Sequence, residues 1–172
     1  MKNPMDAITE WARILAEEVT PDETATASLV AEAYARGGPH RRQLLEDSGA
    51  LTGGFGTGDL LVMFPAVLSA VHQAAPYLLA LLASRHIGDL LGAVRSAVAQ
   101  PSAVHGSPMG GTAVNAVDVP GLNRATDTIE KSLRQAGIST AEAELMALHV
   151  VHALLRDADN GRRFIQFIAE KA

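Results

Sequence analysis

Two histidines on one predicted helical face are the residues of this chain best placed to do chemistry. His149 and His152 stand three apart in the segment HVVH. On a helix that spacing puts both imidazoles on neighbouring turns of one face, where they can converge on a metal ion. Glu142 or Asp157 would supply the third ligand. The competing reading is a wet polar stripe whose histidines bond to their neighbours. The sequence holds no His-Glu-x-x-His motif and no second helix carrying Glu-x-x-His, the patterns that mark helical metal centres. The stripe is therefore the reading adopted. No cofactor is expected, and His149 and His152 remain the metal candidates.

A second feature with chemical potential is GGFGTGD, residues 53–59. Glycine-rich turns before a helix can cradle phosphate on backbone amides. Here no Gly-Lys-Ser/Thr follows, and the glycine spacing is not the dinucleotide fingerprint. Asp59 at the mouth would also repel an anion, so a connector is expected. Ser69, Ser84 and Ser107 lack a nucleophile-elbow context, and no pair of carboxylates stands out from the solvated faces. The chain has no cysteine, which excludes disulfides, thiolate metal sites and cysteine nucleophiles. These residues predict a protein that is not an enzyme.

The elements that must position any site are dominated by an uncharged run. From Leu60 to Ser84, 25 residues pass without Asp, Glu, Lys or Arg. That length suffices to cross a bilayer or to form the centre of a small helical domain. Pro65, Pro76, His72 and Gln73 interrupt it, and each is costly at mid-membrane. A soluble core hydrogen-bonds His72 and Gln73 instead, with the carbonyl freed by Pro76 as a candidate partner. The amphipathic segments on either side also need an apolar surface to bury against. A buried position is therefore expected, with insertion of residues 60–99 into a membrane as the alternative.

Charge placement agrees. Residues 1–58 carry 5 basic and 9 acidic groups, residues 59–119 carry 2 and 3, and residues 120–172 carry 7 of each. A charge-poor middle is a buried middle. The net charge of −5 and the lack of a basic patch argue against nucleic acid. Apolar residues make up 48% of the chain but aromatics only 4%, which favours helices packed closely through small side chains. The opening segment does not read as a secretory signal, so a cytoplasmic location is expected, with membrane association possible.

Helix punctuation divides the rest. Asn3 and Pro4 open a first helix reaching Val19. Thr20 with Glu23 has the form of a capping box and opens a second helix to Arg36, where Gly37-Gly38-Pro39 stops it. A short helix at 40–47 and a glycine loop at 48–58 follow. Asp59 is the expected N-cap of the apolar run. Residues 59–99 are expected as apolar central helices, with Leu90, Leu91, Val94 and Val98 on one face after Gly88-Asp89. Residues 101–119 read as a linker. Pro120 opens a helix closed by Gly137, and Ser139 with Glu142 forms another capping box for a helix to Arg156. That helix is apolar almost all round, as central helices are. Only Glu142, His149, His152 and Arg156 form a polar stripe, expected to face solvent or a seam between helices. Residues 157–161 read as a turn before a last helix carrying Phe164, Ile165, Phe167 and Ile168.

The expected fold is all-α: one domain over residues 1–172, with seven or eight helices around a hydrophobic, proline-broken central hairpin. Its expected sub-regions are acidic helices at 1–48, the apolar centre at 59–99, the linker at 101–119 and a three-helix part at 120–172. The expected function is that of an adapter or assembly subunit binding itself or a protein partner through apolar helix faces. The candidate interaction residues are Leu61, Phe64, Leu68, Tyr77, Leu78, Leu81 and Leu82. A membrane-active protein and a histidine-based metal site are the alternatives.

Overall fold

The helical periods of the sequence become eight α-helices in the computed structural model, which describes residues 4–50, 63–99 and 120–170. They are α1 (Pro4–Val19), α2 (Thr24–Arg36), α3 (Gly38–Ala50), α4 (Phe64–Leu82), α5 (Ile87–Ala99), α6 (Pro120–Gln135), α7 (Thr140–Arg156) and α8 (Ala158–Glu170). A single 3₁₀ turn, Pro21–Glu23, joins α1 to α2. Among the described residues the fold is all-helical, with no strand. Asp59, Leu61, most of the glycine loop and the 101–119 linker lie outside the described residues.

The uncharged run supplies α4, and α4 is one continuous helix rather than a broken hairpin. Pro65 falls in its first turn, where a missing N–H costs nothing. Pro76 sits inside the helix, a position that costs about 3 kcal/mol in isolation. Pro76 and Tyr77 face solvent, while Ala74, Ala75, Leu78, Leu81 and Leu82 around them are buried. Packing on both sides of the proline holds the helix through it. Nor does α5 fold back on α4 as a hairpin partner: its main contact is α7, through the buried Leu90 and Val94. α4 packs chiefly on α6 and α8, and also touches α2, α3 and α7.

The second central helix is α7, which contacts α1, α4, α5, α6 and α8. Its buried face, from Ala143 through Met146, Val150 and Leu154, wraps most of the cylinder, as its nearly all-round apolar pattern requires. One continuous hydrophobic cluster runs from Ile8 on α1 to Ile168 on α8. Within it Trp11 stacks on Phe164, with ring centroids 5.9 Å apart.

Local signals fix most boundaries. Ser139 Oγ accepts the Glu142 amide at 3.4 Å and caps α7. Gly137, at φ 93°, ends α6 in the left-handed conformation that glycine tolerates. Other boundaries differ from the sequence reading: α3 begins at Gly38 rather than at 40, and α2 begins at Thr24 after the 3₁₀ turn. α3 extends through Ala50, into the segment read as loop. Residues 157–161 are not a turn, because Asp157 alone separates α7 from α8. Its carboxylate accepts from the Asn160 amide at 3.4 Å and from Asn160 Nδ2 at 2.9 Å, so it caps the new helix at once. Gly161 permits this sharp corner: a Cβ there would lie 2.9 Å from the Leu154 carbonyl oxygen.

Candidate functional site

The polar stripe of α7 faces a seam, and its partner comes from the far end of the sequence. Glu18, in the last turn of α1, accepts a hydrogen bond from His152 Nδ1. Its other oxygen lies 3.6 Å from Arg156 Nη1. Both His152 and Glu18 are largely covered, so their hydrogen bond competes less with water than a surface contact would. The imidazole proton on Nδ1 follows from this contact, since a carboxylate only accepts. His152 is thus used to lock α1 against α7. Among the described residues no group of three or more His, Asp or Glu is placed to hold a metal ion. Asp157, one of the two third-ligand candidates, is committed to the α8 cap.

Beside this seam an open cleft of about 530 Å³ separates the α1–α2 corner from α7. Val19, Pro21, Met63, Leu145 and Met146 give it an apolar lining, and Glu18, Asp22, Glu23 and Glu142 an acidic one. Leu145 stays 37% exposed, one of only three large apolar side chains so exposed among the described residues. Thr20 and His149 complete the wall. Thr20 Oγ1 and His149 Nδ1 are buried and find no hydrogen-bond partner among the described residues.

The corner above the cleft departs from the predicted capping box. Thr20 is the N-cap of the 3₁₀ turn but makes no side-chain cap bond. Glu23 does not reach back to it. Its two carboxylate oxygens instead accept the backbone amides of Met63, at 2.5 Å, and Phe64, at 3.0 Å. Glu23 therefore caps α4 across the cleft, where its negative charge also meets the positive end of the helix dipole. The cap residue of α4 is Met63, with no side-chain bond of its own, so Asp59 is not the cap of this helix.

A second polar cluster lies between α2, α3 and α4. Arg41 donates to His72 Nδ1 at 3.2 Å and stacks its guanidinium 4.3 Å from the Tyr34 ring centroid. Tyr34 meets His72 edge-on, 6.4 Å away. Because a guanidinium only donates, His72 Nδ1 accepts and its proton sits on Nε2. Burial lowers the His72 pKa, and the charge of Arg41 lowers it further against the opposing pull of the Ile168 carbonyl. Burial raises that of the Tyr34 phenol, opposed by Arg41 and Ser69. His72 is thus hydrogen-bonded as expected, but to α3 and α8 rather than within its own helix.

Of the expected interaction residues, Phe64, Leu68, Leu78, Leu81 and Leu82 are buried by the chain's own helices, and Tyr77 is exposed at 37%. Leu61 lies outside the described residues. The residues that build the cleft include Glu18, Met63 and Leu145, which no motif singles out, and Glu23, which the sequence places only in a local capping box. Compared with protein-family models, with curated proteins and with solved structures, the chain gives no significant match.

Proposed function

We propose that this chain is a non-catalytic helical binding protein, an adapter or assembly subunit, that receives a protein segment in the cleft between the α1–α2 corner and α7. The observation that carries this reading is the cleft itself, where Leu145 stays open to solvent and Val19 and Met63 are half-covered beside the buried core. Its volume falls within the roughly 300–1,000 Å³ typical of ligand sites. Met63 and Met146 line it, and thioether side chains adapt to varied partners. Two of the polar groups around it hold helices together: Glu18 closes the seam to α7 and Glu23 caps α4. That use leaves them as scaffold rather than as reacting groups.

Selection of a random peptide library displayed on phage, with the immobilised full chain as bait, tests this. Peptides should enrich over bare support and lose capture on Leu145→Arg, whose melting temperature should match the parent because Leu145 is already part-exposed. No enrichment, or capture indifferent to Leu145→Arg, would sink the proposal.

One observation favours a second reading. α4 is the one helix among the described residues long and apolar enough to cross a membrane, although more than half of it is buried in the fold. Flotation with liposomes of neutral and anionic composition separates the two. A chain that stays at the bottom of the gradient with every lipid removes membrane insertion.

A further inference from the structure

Resting on the cleft as a binding site, we infer that its occupant is a basic segment of a partner protein, in which an apolar anchor residue is flanked by lysine or arginine. Three observations on the cleft wall point to this chemistry.

The first is charge. Glu18, Asp22, Glu23 and Glu142 line the cleft without a lysine or arginine among the described lining residues. The N-termini of α2, α4 and α7 contribute about half a positive charge each and the C-terminus of α1 about half a negative one, so with Arg156 beside Glu18 the cleft keeps a net charge of roughly −2. The carboxylates are not equivalent. Glu18 is engaged by His152 and Arg156, and Glu23 by two backbone amides. Asp22 and Glu142 form no side-chain ion pair among the described residues, and both are exposed. They stand on opposite walls, Asp22 on the 3₁₀ turn and Glu142 in the first turn of α7. Two cationic side chains flanking a central residue would meet them.

The second is the apolar lining, where Leu145, Met146, Met63 and Val19 leave room for an aliphatic or aromatic anchor. Interface energy concentrates in such anchors when they fill a pocket. The third is the pair of unsatisfied wall atoms. Thr20 is 6% exposed, and its Oγ1 and His149 Nδ1 are buried without partners among the described residues. A buried polar group left unpaired is costly, and a partner that pairs it recovers that cost. Peptide main chain carries both a donor and an acceptor at each residue, and a side-chain rotation of Thr20 would present its hydroxyl to either. A simple amine offers donors only.

The test uses the peptides enriched on the full chain. They should carry net positive charge around an apolar residue. Titration calorimetry of a synthetic copy should show affinity falling as salt rises. The double variant Asp22→Asn/Glu142→Gln should weaken binding by about fivefold, as two rim charges of this kind are worth, with its melting temperature lowered by no more than about 3 °C for the lost charge at the start of α7. Enriched peptides that are neutral or acidic, or that bind the double variant as tightly as the parent, overturn this inference and leave the binding reading standing. A self-associated chain that dissociates on Leu145→Arg would show a second copy in the cleft and overturn it as well. Failure of any peptide to enrich is instead the failure of the binding reading.

Discussion

Glu23 ties two parts of the chain some forty residues apart, and its removal has a calculable cost. Both carboxylate oxygens accept amides of the first turn of α4. A hydrogen bond to a charged group contributes about 1.5–3 kcal/mol when made and buried, and loss of an N-cap costs about 0.5–2 kcal/mol. The site is only part-buried, so water can replace some of what is lost. Glu23→Ala should therefore destabilise the fold by roughly 2–3 kcal/mol, which for a chain of this length lowers the melting temperature by about 5–10 °C. Glu23→Gln keeps one acceptor oxygen but loses the charge facing the helix dipole, and about half the loss is expected. Urea unfolding followed by circular dichroism gives the free energies, and the dependence on urea should keep its slope. Hydrogen exchange should locate the effect, with the Met63 and Phe64 amides accelerated first. Asp22→Ala, one residue away, is the control and should change stability by less than about 0.5 kcal/mol. A Glu23→Ala protein within that same margin would refute the assignment of Glu23 as the cap of α4.

Two further perturbations address the scaffold. The His72 pKa is lowered in the folded chain, so below the unfolded value of about 6.5 the unfolded chain binds more protons and stability falls as the pH drops toward the folded pKa. His72→Asn, which keeps an acceptor near the Nδ1 position for Arg41, should flatten that part of the curve, and melting temperatures at pH 7.5 and pH 5 compared between variant and parent decide it. Gly161→Ala should push α8 off α7 at the Leu154 carbonyl and lower the melting temperature by several degrees, roughly the 1–3 kcal/mol that overpacking costs; an unchanged midpoint would show that the corner has slack.

Which of these features can be read from sequence depends on the reach of the contact. Ser139 and Glu142 lie three residues apart, and Ser139 caps α7 through the Glu142 amide as half of the predicted capping box. Thr20 and Glu23 have the same spacing, yet Glu23 serves a helix forty residues away, and no local pattern distinguishes the two cases. The α7 stripe was legible as a polar seam, but its partner Glu18 is 134 residues distant. Arg41 likewise reaches His72 across 31 residues. The uncharged run was legible as a buried element, whereas its continuity through Pro76 goes with the burial of Ala74, Ala75 and Leu78 on either side in the folded core. Propensity yields there to tertiary contact. The cleft was not legible at all, because its lining comes from the α1–α2 corner, the start of α4 and α7.

The stack of Trp11 on Phe164 has a kinetic consequence. The chain has one tryptophan, and its ring joins the first described helix to the last. Contacts so distant along the chain carry the greatest loop-closure entropy and govern how fast a topology forms. The fluorescence of Trp11 therefore reports closure of the α1–α8 interface rather than the growth of any single helix. While far-ultraviolet ellipticity follows the helices, the two signals together separate local winding from the moment the bundle shuts.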